Sequence, residues 1–326
     1  MAFSFRTEKF DNIEEEWEQL LPSCTSNNVF LTPCWQRTWW EKMGGPEQEL
    51  RLVRLLDGDA TLGIAPLLKE RESITFLGGT DLWDIHDFIV AKGSEEQFFH
   101  ALVEYLEDED WAEIKLESLL EGSPTLGYLP VLAQERGYRV EKSDEDYLMG
   151  VALPDNWEDY LMTLRKKDRH ELRRKLRRLD AEVDFHIQRL NDPEAVSGAI
   201  DDFLELMGQS REEKSLFLTD EREDFFREMA KSMSQRGLLQ LFFIEVEGVR
   251  TAATVCFDYN NVRSLYNSGH NMEYASLGTS FLLKALCLKN AVCEGKDYFD
   301  LLRGTEPYKH HLGAKERGLY RLSIVR

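Results

Sequence analysis

Residues 264–314 constrain the fold more than any other part of this chain. Their sequence, SLYNSGHNMEYASLGTSFLLKALCLKNAVCEGKDYFDLLRGTEPYKHHLGA, predicts a strand, a turn with Gly278 at a helix start, an amphipathic helix, a second strand and a polar loop. This order brings backbone amides and polar side chains to one end of a sheet. We therefore expect a binding site at that end.

The elements around this segment predict an α+β fold whose central sheet is mostly antiparallel and flanked by helices. Three strands at 239–245, 250–258 and 262–267 are joined by hairpin turns. A helix over 277–293, a strand at 298–302, a short helix near 307–312 and a strand at 319–325 follow. A long helix from 157 to about 179 opens this half. The first half repeats the plan in degenerate form, which predicts tandem domains at 1–150 and 151–326.

Composition restricts the class of protein. A chain of 326 residues exceeds a single core, and no apolar run approaches the length of a membrane span. The N-terminal residues lack the basic and apolar regions of a secretory signal. Five cysteines without metal-type spacing suit a reduced protein. We expect a cytoplasmic protein with no bound metal.

The formal net charge of −20 is unevenly distributed. Residues 1–150 hold 13 Lys and Arg against 31 Asp and Glu, whereas the remainder is nearly balanced. The first half should therefore repel nucleic acid, which excludes a DNA partner and disfavours a large RNA. The second half is able to present a local basic face.

The predicted helix start is a candidate cofactor site. Leu277, Gly278, Thr279 and Ser280 would offer backbone amides, hydroxyls and the positive end of the helix dipole to a phosphate or diphosphate. The alternative is a core helix capped by serine with an incidental glycine. Spacing alone favours this alternative, since short glycine patterns are common.

The loop after strand 298–302 carries the candidate catalytic groups. Acyl transfer needs a base for the nucleophile, donors for the oxyanion and an acid for the leaving group. Tyr308 is the candidate acid, Glu306 the candidate base, and Lys309 a candidate contact for the oxyanion or an anionic substrate. Alternatively, Tyr308 anchors the last helix and Lys309 is a solvated charge. Arg303 and His270 are candidates for substrate binding. His270 and Asp300 are also less favoured substitutes for Glu306 as the base.

The segment 165–178, RKKDRHELRRKLRR, is the strongest charge feature. Arg169 and Arg173 lie on one stripe of the predicted helix, beside an apolar stripe that includes Asp168. A run of this kind is usually a solvated face. A phosphate, a sugar nucleotide or an RNA backbone is the functional alternative. Asp168 requires a partner, such as an adjacent arginine.

The segments YNSGHNMEYASLGTSFLLKA and EGKDYFDLLRGTEPYKHHLGA resemble the C-terminal signature of the CelD/BcsL-type acetyltransferases of the GNAT superfamily. This group is similar to the Fem aminoacyl transferases. LRKKDRHELRRKLRRL, SREEKSLF and FLTPCWQRTWWEKMGG extend the resemblance over nearly the whole chain. The resemblance implies a tandem GNAT fold, acetyl-CoA or another acyl-CoA as co-substrate, and a role in polysaccharide biosynthesis.

The resemblance also implies site residues. The Tyr-Lys pair falls on Tyr308 and Lys309, the small-residue turn on 277–279, and a phosphate-contacting arginine of the Fem group on Arg169. No long coiled-coil arm interrupts the second half, which weakens a tRNA-dependent reaction. The first hypothesis is an acyltransferase acting on an amine or hydroxyl of a small or polysaccharide-precursor acceptor. A Fem-like aminoacyl transferase and a non-catalytic GNAT-fold binding module are the alternatives.

Overall fold

The computed structural model describes residues 3–326; the first two residues of the predicted domain 1–150 lie outside that range. The chain divides into two compact units, Met1–Tyr147 with Arg317–Arg326 and Leu148–Glu316. Each unit has its own apolar core. Within the described chain, no helix combines the length and apolarity needed to cross a bilayer.

The first unit is a mostly antiparallel sheet with helices. Its strands β1 to β4 form consecutive antiparallel pairs, β4 pairs in parallel with β6, and the final strand of the chain pairs with β6. The strands are β1 (Phe3–Thr7), β2 (Gln48–Asp57), β3 (Ala60–Glu70), β4 (Ser73–Phe76), β5 (Ile89–Val90), β6 (Glu113–Leu120) and β7 (Arg139–Ala152), and the helices are α1 (Phe10–Leu20), α2 (Pro33–Met43), α3 (Glu95–Asp108) and α4 (Pro124–Glu135).

The second unit begins with the last residues of β7 and has six helical segments before its meander. The predicted long helix is interrupted near residue 164, and residues 193–210 form two helical segments that separate near residue 198. The helices are α5 (Trp157–Thr163), α6 (Lys166–Glu182), α7 (Pro193–Ser197), α8 (Ile200–Ser210), α9 (Glu212–Phe217) and α10 (Asp220–Gln235), and the strand between α6 and α7 is β8 (Phe185–Leu190).

The sheet of the second unit has the order β7, β12, β11, β10, β9, β8, and only the β11–β12 pair is parallel. The prediction of a mixed fold with a mostly antiparallel sheet is confirmed. Its remaining elements are β9 (Leu239–Val246), β10 (Val249–Tyr259), β11 (Val262–His270), α11 (Thr279–Cys293), β12 (Tyr298–Arg303), α12 (Pro307–His311) and β13 (Lys315–Val325), whose last residues return to the first unit.

The predicted continuous helix over 157–179 is wrong. Leu164 and Arg165 have ψ angles of 146° and 142°, so the backbone leaves the helical conformation between α5 and α6. Leu164 enters the core with 4% exposure. The guanidinium of Arg169 donates to the carbonyls of Leu161 and Leu164, both at 3.4 Å. The second helix thus supplies a side-chain donor to carbonyls at the end of the first.

Asp168 is buried on α6, and the predicted arginine partner is confirmed. Its carboxylate accepts from Arg165 Nε at 2.6 Å and contacts His311 Nδ1 at 2.9 Å. Burial disfavours the charged form of Asp168, but Arg165 and His311 outweigh burial and lower its pKa. The two contacts connect α6 to the segment after β12.

Asp168→Asn is expected to lower the free energy of unfolding by about 1 kcal/mol at pH 7. A carboxyl group whose folded pKa is lowered stabilises the fold above its unfolded pKa, and that contribution disappears as pH falls through the folded value. The difference from wild type should therefore shrink below about pH 4. Urea denaturation at pH 7 and pH 3 measures it. Asp180→Asn, at an exposed position on the same helix, is the control, and an equal effect of both changes would contradict the assignment.

Candidate active site

A cavity of about 310 Å³ lies in the second unit, beyond the point where β11 and β12 cease to pair. The pairing of these parallel strands joins Val262–Ser264 to Tyr298–Asp300. Past it, β12 continues along β7. The cavity is lined by side chains and backbone from β11, α11, the α8–α9 connection and the segment after β12: Ser210, Arg211, Lys214, Ser268, His270, Ala275, Gly278, Thr279, Ser280, Phe281, Lys284, Glu306 and Tyr308.

The N-terminus of α11 forms one wall of the cavity. Gly278 has a φ of +68°, a left-handed conformation that ends the 3₁₀ segment Met272–Leu277 and begins α11. A Cβ at Gly278 would meet no atom within 4 Å, so glycine is favoured there by backbone conformation and not by crowding. Of the predicted cofactor residues, Gly278, Thr279 and Ser280 line the cavity, whereas Leu277 packs against the core.

Tyr308 and Glu306, at the start of α12, line another wall of the cavity. Burial, with Glu306 nearby, raises the pKa of the Tyr308 hydroxyl above its usual value, so the hydroxyl keeps its proton at neutral pH. Burial also opposes ionisation of Glu306, but the Lys309 ammonium 3.0 Å away lowers the pKa of that carboxyl. The wall therefore presents a protonated phenol beside an ionised carboxylate.

Lys309 lies behind this wall and does not line the cavity. It is 2% exposed, and its ammonium donates to the carbonyls of Leu302, Arg303 and Gly304. Two of these residues have unusual backbones, since φ is +58° at Leu302 and +95° at Gly304. Its position therefore suits holding the loop in shape better than contacting a substrate.

The structure does not bring the predicted arginines to this cavity. Arg169 bonds the end of α5, and half-buried Arg303 does not line the cavity. Arg173 is exposed, forms an ion pair with Glu158 at 2.6 Å and borders a separate groove along α6. Among the residues predicted to bind substrate, His270 is the one that lines the cavity.

Sequence reasoning missed Lys284, which lies two turns into α11. It is 6% exposed and lines the cavity, with its Nζ 5.2 Å from the centroid of the Tyr308 ring. Burial, followed by the charge of Lys214, lowers the pKa of Lys284 to about 7. A lysine inside the run SFLLKALCL, whose other residues are mainly apolar, was the available signal.

The α8–α9 connection supplies two further cations, Arg211 and Lys214. Residues 212–217 of this connection form the short helix α9. Lys214 donates to Asn267 Oδ1 at 2.8 Å and to the Ser268 carbonyl, and burial lowers its pKa to about 8. Burial, together with nearby cations, also lowers the pKa of His270, so its imidazole is neutral at pH 7.

The cavity is thus rich in positive charge, because its one carboxylate, Glu306, is paired with Lys309. Such a site favours anionic ligands. Within residues 3–326, no group of three or more His, Cys, Asp or Glu side chains could hold a metal ion.

Residues 166–310 match the model of an acetyltransferase (GNAT) domain. This match includes all the lining residues of the cavity. No curated protein matches the sequence significantly. The predicted relation to the GNAT superfamily is therefore supported at the level of the domain.

Solved structures show the same fold over nearly the whole chain. A crystal structure of FemX has a TM-score of 0.68 and 12% identity, with 98% of this chain and 96% of that chain covered. A tandem GNAT protein from the clavulanic acid biosynthesis pathway has a TM-score of 0.53 and 11% identity, with 99% and 98% covered. L-PGS from Bacillus licheniformis has a TM-score of 0.53 and 11% identity, with 88% and 90% covered. The predicted tandem GNAT fold is confirmed, and these identities establish fold alone.

Proposed function

We propose that this protein is an acyltransferase that moves an acetyl or other acyl group from a coenzyme A thioester to an amine or hydroxyl. The observation that supports the proposal is one cavity of about 310 Å³ that is lined both by a helix N-terminus and by a protonated tyrosine. The acceptor we propose is a small molecule or a polysaccharide precursor of the kind associated with CelD/BcsL-type enzymes. Five free cysteines support the cytoplasm as the compartment.

The thioester is a co-substrate in this proposal, and its diphosphate would lie at the start of α11. The first N–H groups of a helix lack partners within it and carry partial positive charge. Gly278 contributes no side chain, while Thr279 and Ser280 add hydroxyls next to those amides. This combination suits a diphosphate. We assign the acyl-CoA site to the domain predicted at 151–326 and a supporting role to the degenerate domain at 1–150.

Acyl transfer in this cavity requires two proton movements. The nucleophile attacks the thioester carbonyl carbon and loses a proton to a base, for which Glu306 and His270 are the candidates from the sequence. When the C–S bond breaks, the thiolate takes a proton from the Tyr308 hydroxyl. The raised pKa of this tyrosine keeps the proton available until the thiolate forms.

Tyr308→Phe is expected to reduce the rate of acyl transfer at least about 100-fold, because it removes the proton donor for the leaving thiolate. The dissociation constant for acetyl-CoA should change less than about threefold, since the ring remains. Thiol release from acetyl-CoA measures the rate, and isothermal titration measures binding. Tyr128→Phe, at an exposed site in the first unit, is the control. Failure of the wild-type protein to bind acetyl-CoA would contradict the proposal.

Arg211 and Lys214 support a second candidate function, Fem-like aminoacyl transfer from a charged tRNA, because two cations in one cavity suit phosphate groups. In that reaction the acyl donor is an aminoacyl ester of tRNA and not a thioester. The cavity would still hold the reacting groups. Binding of charged tRNA that weakens steeply with salt, combined with no binding of acetyl-CoA, would favour it. Retention of the biological role in Tyr308→Phe would instead favour a non-catalytic binding module.

A further inference from the structure

Lys284 is a buried amine without a paired carboxylate among the described residues. Its Nζ donates to Ser280 Oγ at 2.8 Å and to the Ser280 carbonyl at 3.3 Å, both within α11. Neither partner carries charge. Burial of an ammonium without a counter-charge is costly, so this position favours the neutral amine.

Among the groups around Lys284, the two cations reinforce this preference, whereas Cys287 and Glu306 oppose it. Cations face it from the α8–α9 connection, a neutral imidazole from β11, a thiol from its own helix, and a phenol and a carboxylate from the segment after β12. The carboxylate is already paired with Lys309 at 3.0 Å. These groups are Arg211, Lys214, His270, Cys287, Tyr308 and Glu306.

We infer that Lys284, as a neutral amine, is the catalytic base that accepts the proton of the attacking amine or hydroxyl, an assignment that rests on the acyltransferase function proposed above. Lys284 lines the same cavity as the N-terminus of α11 and Tyr308. The wall that carries Lys284 is also the wall to which we assign the acyl donor. Lys284 therefore reaches the space that the nucleophile must occupy. The pKa of about 7 matches the requirement of a base that operates near neutral pH.

The proton balance closes between Lys284 and Tyr308. A bond forms between the nucleophile and the carbonyl carbon, and the C–S bond breaks. The proton of the nucleophile passes to Lys284 Nζ, and the proton of Tyr308 passes to the departing sulfur. The lysine lies over the tyrosine ring, 5.2 Å from its centroid, and returns its proton to the phenolate through the cavity. Both groups then regain their initial forms.

Glu306 is less suited to be this base. Lys309 holds its carboxylate at 3.0 Å and lowers its pKa, and a carboxylate stabilised in this way accepts a proton weakly. Its contact with Lys309 instead joins the network that fixes the loop after β12. We assign Glu306 a positioning role.

The first experiment compares the pH dependence of thiol release from acetyl-CoA, with water as the acceptor, in wild type and in Lys284→Met. The wild-type rate should rise about tenfold per pH unit up to about pH 7 and then level off. The rate of thiol release by Lys284→Met should be lower by about 100-fold or more at pH 8. It should also no longer rise with pH in the way that the wild-type rate does. Lys289→Met, an exposed lysine on the same helix, is the matched control and should match wild type.

A second experiment measures the amine directly. Trace acetic anhydride labels neutral amines, and mass spectrometry of peptides follows labelling between about pH 6 and pH 11. Lys284 should reach half of its maximal reactivity near pH 7, far below the value of about 10.4 for a lysine in a model peptide. The melting temperature of Lys284→Met should equal or exceed that of wild type, because an apolar chain replaces a buried amine. This result would separate lost chemistry from lost folding.

The outcomes distinguish the two proposals. An active wild type with Lys284→Met within about threefold of it would overturn the role of Lys284 and leave the acyltransferase function standing. A labelling midpoint for Lys284 near the model-peptide lysine value of about 10.4 would do the same. A wild-type protein that neither binds acetyl-CoA nor releases its thiol would overturn both proposals, whatever the labelling shows.

Discussion

Arg263→Met is expected to destabilise the second unit by about 3–5 kcal/mol, because it removes the cation from a buried ion network. Arg263 is 0% exposed on β11, and two of its nitrogens lie 2.7 Å from the two carboxylate oxygens of Asp258. It also donates to Glu294 at 2.8 Å and to the side chain of Asn290. The variant would leave the Asp258 carboxylate, whose side chain is 11% exposed, without its two closest donors, and Glu294, which also pairs with Arg189, without one of its cations.

This network matters for the site because it fixes α11. Asn290 and Glu294 lie at the C-terminal end of α11, while Asp258 lies near the end of β10. The opposite end of α11 carries the cavity wall at Gly278 and Lys284. Loss of the Arg263 contacts to α11 is therefore expected to weaken ligand binding as well as folding.

Urea denaturation of Arg263→Met against wild type measures the effect. The control is Arg227→Met, which removes an arginine with 41% side-chain exposure from ion pairs with Asp201 and Glu223 and should cost less than about 1 kcal/mol. Adding Asp258→Asn and Glu294→Gln to Arg263→Met should recover part of the lost stability, since the two carboxylates that Arg263 contacts are then replaced by neutral amides. Equal losses for Arg263→Met and Arg227→Met would contradict the expectation.

Gly269→Ala is expected to cost about 3 kcal/mol, the second large effect. A Cβ at Gly269 would lie 2.2 Å from Met207 N, 2.4 Å from Leu206 C and 2.6 Å from Met207 Cα. These are backbone atoms of α8, so no side-chain rotation relieves the clash. A glycine inside a strand marks such a close backbone approach.

The same contact sets one wall of the cavity. Gly269 lies between Ser268 and His270, and α8 ends at Ser210 next to Arg211. The larger residue is expected to push α8 away from β11 and weaken acetyl-CoA binding together with stability.

Thermal and chemical denaturation test this expectation. Gly208→Ala, in the same helix α8, is the control, because its Cβ would meet its nearest atom at 3.7 Å and alanine is the better helix former by about 1 kcal/mol. Gly208→Ala should therefore be neutral or stabilising. A Gly269→Ala protein as stable as wild type would show that α8 and β11 leave room between them for a methyl group.

The sequence by itself determined the class of fold and several of the residues that line one cavity. Alternating strands, hairpin turns and the glycine before an apolar helix are local signals, and they predicted the mixed sheet and the cavity-lining residues Gly278, Thr279, Ser280, Glu306 and Tyr308. Local patterns suffice there because strand and helix periods follow from backbone geometry. They did not reveal the break at Leu164, which depends on a core contact.

Only the tertiary structure decided what the charged residues do. In the sequence Arg169, Lys309, Arg263 and Lys284 are alike as cations, but folding assigns the first to the end of α5, the second to the loop after β12 and the third to a buried ion network. Lys284 alone of these four lines the cavity. Burial and neighbouring charge fix the role and the protonation of a side chain, and both depend on residues distant in sequence.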